Sequence, residues 1–205
     1  MINVNREQNI KKIIEMEDRI CECQRCTSLV RCVRKPSQGK GDLEPILMLV
    51  FEYENDFCKE TNNIIELRDL IKKETDIQHI YHTFMVRCCP KSCANLPSSS
   101  CYFNNKLMDK DYNCRLSRSK CDGIPVRPGN EEIMSCLPFL MEEIETLEPH
   151  FVLLFGDRVS TFVLRSYGVF DDPIPGHRYQ TQDKTLICAV KEELFNSQEC
   201  RRLFE

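Results

Sequence analysis

Four short apolar runs restrict what this chain can fold into. They are Ile46–Phe51 (ILMLVF), His79–Val86 (HIYHTFMV), Phe151–Gly156 (FVLLFG) and Thr185–Val190 (TLICAV). Each is strand-sized and carries too few polar positions for a sheet with one wet face. Such runs belong to strands covered on both faces, as in parallel sheets. The segments between them have helical periodicity. Ile10, Ile13, Ile14, Met16 and Ile20 fall near one face of residues 5–20. Ile64, Ile65, Leu67, Leu70 and Ile71 do the same over 60–73. Further helices are predicted from Gly129-Asn130 to Pro149, over 157–167 and over 192–204, with Asn130 as a cap and Glu131 and Glu132 at the positive end. The Pro/Ser/Gly-punctuated segment before Ile46 reads as a loop, and IPGHRY as a turn. Strands alternating with helices predict an α/β fold of three layers, αβα, around a central, mostly parallel four-stranded sheet. A chain of 205 residues fits one domain over 1–205, with a Cys-rich basic insertion at 89–128.

Charge and cysteine content narrow the function classes. No apolar run approaches the ~20 residues of a membrane span, so no membrane partner is expected. The charged start, MINVNREQNIKKIIEMEDR, is unlike a signal peptide. Both features predict an intracellular protein, cytoplasmic or nuclear. In a reducing compartment, fourteen cysteines serve as metal ligands or small buried hydrophobes rather than disulfides. A net charge of −4 argues against a nonspecific polyanion binder, yet Arg87 to Arg127 carries +5, leaving −9 for the rest. Such asymmetry can steer DNA or RNA to one face, and a solvated insertion of mixed charge is the plainer reading.

The pair Cys23-x-x-Cys26 can point two sulfurs at one metal from a single turn of backbone. No second such pair lies nearby, so its partners must come from far along the chain. Cys88, after the second apolar run, and Cys136, inside the helical run EEIMSCLPFLMEEIETLEP, are the candidates, with Cys21, Cys32 and Cys89 as alternatives. Four more cysteines, Cys93, Cys101, Cys114 and Cys121, lie in the Ser/Asn/Lys-rich insertion. That segment has no apolar core, and a zinc ion or a second metal there would supply the folding energy it lacks.

These strings together resemble the family-4 uracil-DNA glycosylases, DNA-repair enzymes that carry a four-iron four-sulfur cluster. The resemblance covers nearly the whole chain. Cys23, Cys26 and Leu29 match the family's first cysteine pair. Thr83-Phe84-Met85-Val86-Arg87-Cys88-Cys89-Pro90 matches T-N-V-V-K-C-R-P, and Glu131 to Leu140 matches E-E-I-x-x-C-x-P-x-L. Pro149, Val152, Phe155 and Gly156 match the strand that follows. The resemblance implies that Cys23, Cys26, Cys88 and Cys136 bind a 4Fe-4S cluster. It also implies that Glu52 stands at the water-activating position, with Tyr53 and Phe84 beside the base pocket.

The departures from that family bear on activity. The family's G-E-x-P-G becomes Phe51-Glu52-Tyr53-Glu54-Asn55, which removes the glycines that let backbone approach a base. The asparagine that reads the base is replaced by Phe84. The segment that stacks on uracil has no counterpart, and where an H-P-S motif should follow the last strand the chain has Lys191-Glu192-Glu193. An acidic pair has the wrong sign for stabilising a departing base anion.

Three functions are therefore in play. The first is a nucleic-acid-binding or complex-forming module that has lost uracil excision, contacting phosphates through Arg31, Arg34, Lys35, Lys40, Arg115, Arg118, Lys120, His177 and Arg178. The second is a glycosylase for another base, using Glu52 to activate water, or Lys191 as an amine nucleophile. The third is a redox or scaffold iron–sulfur protein.

Overall fold

A computed structural model describes residues 4–26, 36–88, 91–94, 113–120 and 124–204. Arg31, Arg34, Lys35, Cys32, Cys89, Cys101 and Cys121 lie outside the described residues. In chain order the elements are α1 (Val4–Cys21), β1 (Lys40–Gly41), β2 (Leu47–Phe51), α2 (Asp56–Lys59), α3 (Thr61–Thr75), β3 (Ile80–Phe84), β4 (Lys91–Ser92) and β5 (Ile124–Pro125). They continue with α4 (Asn130–Leu147), β6 (Phe151–Phe155), α5 (Asp157–Ser166), β7 (Arg178–Gln180), β8 (Thr185–Ala189) and α6 (Ser197–Phe204).

The fold is α/β in three layers, but its central sheet has six strands, in the order β1-β3-β2-β6-β8-β7. The four apolar runs form the parallel centre: Leu47 stands beside Ile80 on one side and Phe151 on the other, and Phe151 beside Thr185. The two extra strands are antiparallel edges, β1 on β3 and β7 on β8. They fall where a loop and a turn are predicted. Lys40-Gly41 and Arg178-Tyr179-Gln180 are too short and too polar for a periodicity signal, and they pair because the neighbouring strand offers free backbone groups. Gly41 sits at φ +143°, and a Cβ there would lie 2.4 Å from the Ile80 carbonyl oxygen, so a side chain would collide with β3.

Alternation along the strands builds two apolar layers. Met48, Val50, Val152 and Leu154 face Ile13, Met16 and Ile20 of α1, Ile133, Leu140 and Ile144 of α4, and Val163 of α5. Leu47, Leu49, Phe51, Leu153 and Ile187 face Ile64, Leu67 and Ile71 of α3 and Cys200 and Leu203 of α6. Helices α3 and α4 both end on a left-handed residue, Asp76 (φ 59°) and Glu148 (φ 46°), whose N–H closes back on the helix. Gly129, rather than Asn130, is the N-cap of α4. The predicted closing helix is broken: residues 192–194 form a 3-10 turn before α6 begins.

The order in which strands are added across the sheet reverses between the parallel neighbours β2 and β6, because β2 leads outward to β3 on one side and β6 to β8 on the other. In open α/β sheets that switch point opens a crevice beyond the carboxyl ends of the strands, where ligands bind.

Candidate functional site

The N-terminal arm docks on α4 close to Cys136. Arg19 pairs with Glu142, Arg25 donates from Nη1 to the Ser135 carbonyl at 3.3 Å, and its guanidinium lies 4.5 Å from the centre of the Phe139 ring. This brings the half-buried Cys23 and Cys26 to the face of α4 that carries the buried Cys136. Burial, above all, raises the thiol pKa of both Cys26 and Cys136. Charge on Cys23 would raise both further, and Cys26 and Cys136 stand within the same electrostatic reach. Cys136 Sγ accepts the backbone N–H of Arg87 at 3.3 Å, and Cys88 is the next residue. Three segments far apart in sequence thus meet at one corner.

Beside that corner lies a buried polar knot. Glu143, fully buried on α4, accepts from Tyr81 Oη at 2.7 Å, from Thr83 Oγ1 at 2.5 Å and from Arg87 Nη2. Gly39 passes directly over Tyr81 and Glu143, leaving no room for a Cβ. Burial, then the Glu143 charge, holds the Tyr81 phenol protonated far above its ordinary range, so it stays a donor. Arg87 is only 2% exposed, and its Nε and Nη1 have no hydrogen-bond partner among the described residues.

Those orphaned nitrogens test the corner as a cluster site. The charge of the Arg87 guanidinium acts on Cys136, and a cation with unsatisfied nitrogens is compatible with an anionic centre held on thiolates nearby. Among the described residues, no three His, Cys, Asp or Glu side chains converge closely enough for a single metal ion. The thiols of Cys23, Cys26, Cys88 and Cys136 are the donor type that an iron–sulfur cluster takes.

In the insertion, β4 and β5 form a two-stranded ribbon. Cys93 and Cys114 are buried, although the surrounding segment has little apolar sequence. A tight turn wraps Cys114: its N–H reaches the Ser119 carbonyl, Arg118 closes back on its carbonyl with φ 53°, and Ser117 N–H points at its sulfur at 3.5 Å. Arg115, Arg118 and Lys120 are exposed on this turn, with no ion-pair partner among the described residues.

The switch-point crevice, of about 640 Å³, opens beyond β2, β6 and β8. Glu52 stands at its mouth with both oxygens occupied. Arg127 donates from Nε at 2.9 and 3.0 Å and from Nη2 at 2.7 Å, and Arg158 from Nη1 at 2.7 Å. Arg158 also ties down the preceding loop through the Pro128 carbonyl and Asn130 Oδ1, both at 2.6 Å. Beneath Glu52 the interior is filled by rings. Phe51 stacks on Phe155 at 4.9 Å and 5°, Phe195 meets Phe155 edge-on at 5.4 Å, and Phe84 lies 6.0 Å from Phe51. Phe84, placed by the resemblance in a base pocket, is 3% exposed and belongs to this core, whereas the half-buried Tyr53 lines the crevice. Lys191 is exposed on the crevice rim, followed by Glu192 and Glu193. Asn55 donates to Glu192, whose carboxyl pKa is raised mainly by burial.

The residues expected to touch phosphate do not form one patch. Lys40 lies on one edge of the sheet and Arg178 on the other, five strand spacings or roughly 24 Å apart. Arg178 donates to the Leu203 carbonyl near the end of α6, and His177 packs edge-on against Tyr179. Two members of the basic segment are also spent internally, Arg87 on Glu143 and Arg127 on Glu52. Neither pairing has a local signature, because the partners are 56 and 75 residues apart. No helix among the described residues is long and apolar enough to cross a membrane. In comparison with known proteins, no family model matches the chain and no curated sequence matches it.

Proposed function

We propose that this chain is a divergent relative of the iron–sulfur uracil-DNA glycosylases that no longer excises uracil and acts as an intracellular nucleic-acid-binding or complex-forming module. The observation that carries this reading is the state of Glu52. A general base must have a free lone pair within reach of a water, and four hydrogen bonds from two arginines occupy both of its oxygens. No histidine is among the described residues that line the crevice, where one could stabilise a leaving anion. In this reading Cys23, Cys26, Cys88 and Cys136 hold a 4Fe-4S cluster that ties α1 to α4 and β3, and the cluster supplies cross-linking rather than a catalytic step. Cys93, Cys101, Cys114 and Cys121 hold a zinc ion that folds the insertion. The exposed Arg115, Arg118 and Lys120 then present a small cationic surface to DNA or RNA.

Metal analysis of anaerobically purified protein tests the scaffold: about four irons and one zinc per chain are expected, and Cys136→Ser should lose the iron while keeping the zinc. Zinc alone would remove the cluster. An excision assay on oligonucleotides bearing uracil or hypoxanthine tests the loss of activity. Release of either base that disappears in Glu52→Gln would make the chain an active glycosylase instead. Binding to single- or double-stranded DNA or RNA should weaken with salt, with a log–log slope of roughly −3 if the three exposed cations each meet a phosphate. No binding at low salt removes the nucleic-acid reading.

A further inference from the structure

A second cleft, of about 420 Å³, lies on the other side of the sheet's edge from the thiol corner, between α3 and the β1–β3 pair. We propose that it binds a phosphate monoester, held by Lys40, Arg68 and His82. The inference requires neither the cluster nor the loss of excision.

Three donors from three elements line this cleft, and each keeps donor capacity without a partner among the described residues. His82, in the middle of β3 and 6% exposed, has no hydrogen-bond partner at Nδ1. Arg68, on α3, spends Nη2 on the Ile80 carbonyl at 2.9 Å and leaves its buried Nε without a partner. Lys40, exposed on β1, has no ion pair among the described residues. Buried donors are almost always satisfied in native proteins, so two orphans lining one cleft point to a missing acceptor. The acids nearby do not meet the need. Glu54 accepts from Ser37 Oγ at 3.0 Å, Asp42 is engaged by His79 Nδ1 at 2.5 Å, and Asp56 pairs with Lys59 at 2.8 Å. Burial and the charges of Arg68, Lys40 and Arg87 all act against protonation of His82.

A phosphate monoester supplies what is lacking. It brings nearly two negative charges and three acceptor oxygens, one for each donor. A carboxylate would bring one charge and two oxygens. Pro36, Ile64 and Phe84 give the organic part of the ester an apolar wall, and the lining also carries Lys59 and Glu54, the carboxylate held by Ser37. The Cys58 thiol in the same lining is held neutral, chiefly by burial, and competes for nothing. The same phosphate chemistry is carried by a free mononucleotide and by the 5′ end of a strand.

Calorimetric titration of the full chain separates these cases. Inorganic phosphate and deoxyadenosine 5′-monophosphate should both bind, and deoxyadenosine should not. Lys40→Gln, at an exposed position, should fold normally and weaken binding by about tenfold, as should Arg68→Gln. A 5′-phosphorylated oligonucleotide that outcompetes both its 5′-hydroxyl form and the mononucleotide identifies the strand end. A mononucleotide that binds as well as the strand identifies the free ester. The proposal is overturned if neither phosphate nor the monophosphate binds at millimolar concentration, or if Lys40→Gln binds as the parent does.

Discussion

Two glutamates held by arginine occupy opposite kinds of place in this molecule. Glu143 is fully buried between α4 and β3, and every group around it is also buried: Tyr81, Thr83 and Arg87. Glu52 stands at the mouth of the crevice, its side chain 14% exposed, and one of its two arginines, Arg127, is half exposed. The bonding is similar but the dielectric is not. Removing a carboxylate from a dry site strands the opposite charge and the hydroxyls that pointed at it. At a wet mouth the released guanidinium is hydrated by water. Glu143 therefore fixes how α4 sits on the sheet, whereas Glu52 mainly determines what the crevice can do.

The largest expected effect is at Glu143. Glu143→Ala should cost about 3–5 kcal/mol, read from urea unfolding, and an equal loss in Glu52→Ala would break the contrast. A comparable cost, about 3–5 kcal/mol, is expected for Phe51→Ala, because the stacked ring leaves a cavity between Phe155 and Phe84. A titratable group on the same strand as Tyr81 sharpens the point. His82 is held to about pKa 4, first by burial and then by Arg68, Lys40 and Arg87, against an ordinary value near 6.5. Between those values the unfolded chain binds the proton and the folded one does not. Its contribution is thus complete above pH 6.5 and falls as pH drops through the window, by roughly 3 kcal/mol. Stability measured at pH 7 and at pH 4.5 should diverge less in His82→Gln than in the parent, and equal divergence would show that His82 is hydrated. Glu52→Gln should cost about 1 kcal/mol or less. The smallest effect belongs to Arg19→Ala: its pairing with Glu142 is about half exposed on both sides, and a change of about 0.5 kcal/mol is expected.

Much of the scaffold is legible in the chain because its signals are local. Leu47–Phe51, Phe151–Phe155 and Thr185–Ala189 are strands for the same reason that the runs containing them are apolar, and Cys23-x-x-Cys26 announces a thiol pair by spacing alone. The edges escaped because two or three polar residues have no period to read. Arg87 was the more instructive miss. In sequence it is one cation among eight in a basic segment; in the fold it is buried against Glu143 and leaves that surface with less charge than the count suggests. His82 was equally opaque, since the runs around it say strand but not which side chains meet α3.

What the sequence determined by itself was the layer order and the central strands, because hydrophobic burial acts through composition and period over a few residues. Which charges cancel, which donors stay unsatisfied and which thiols share a corner were decided only by tertiary structure. Those outcomes depend on distances of a few ångströms between residues as far as 127 positions apart, and electrostatic energy follows distance and burial, not order along the chain.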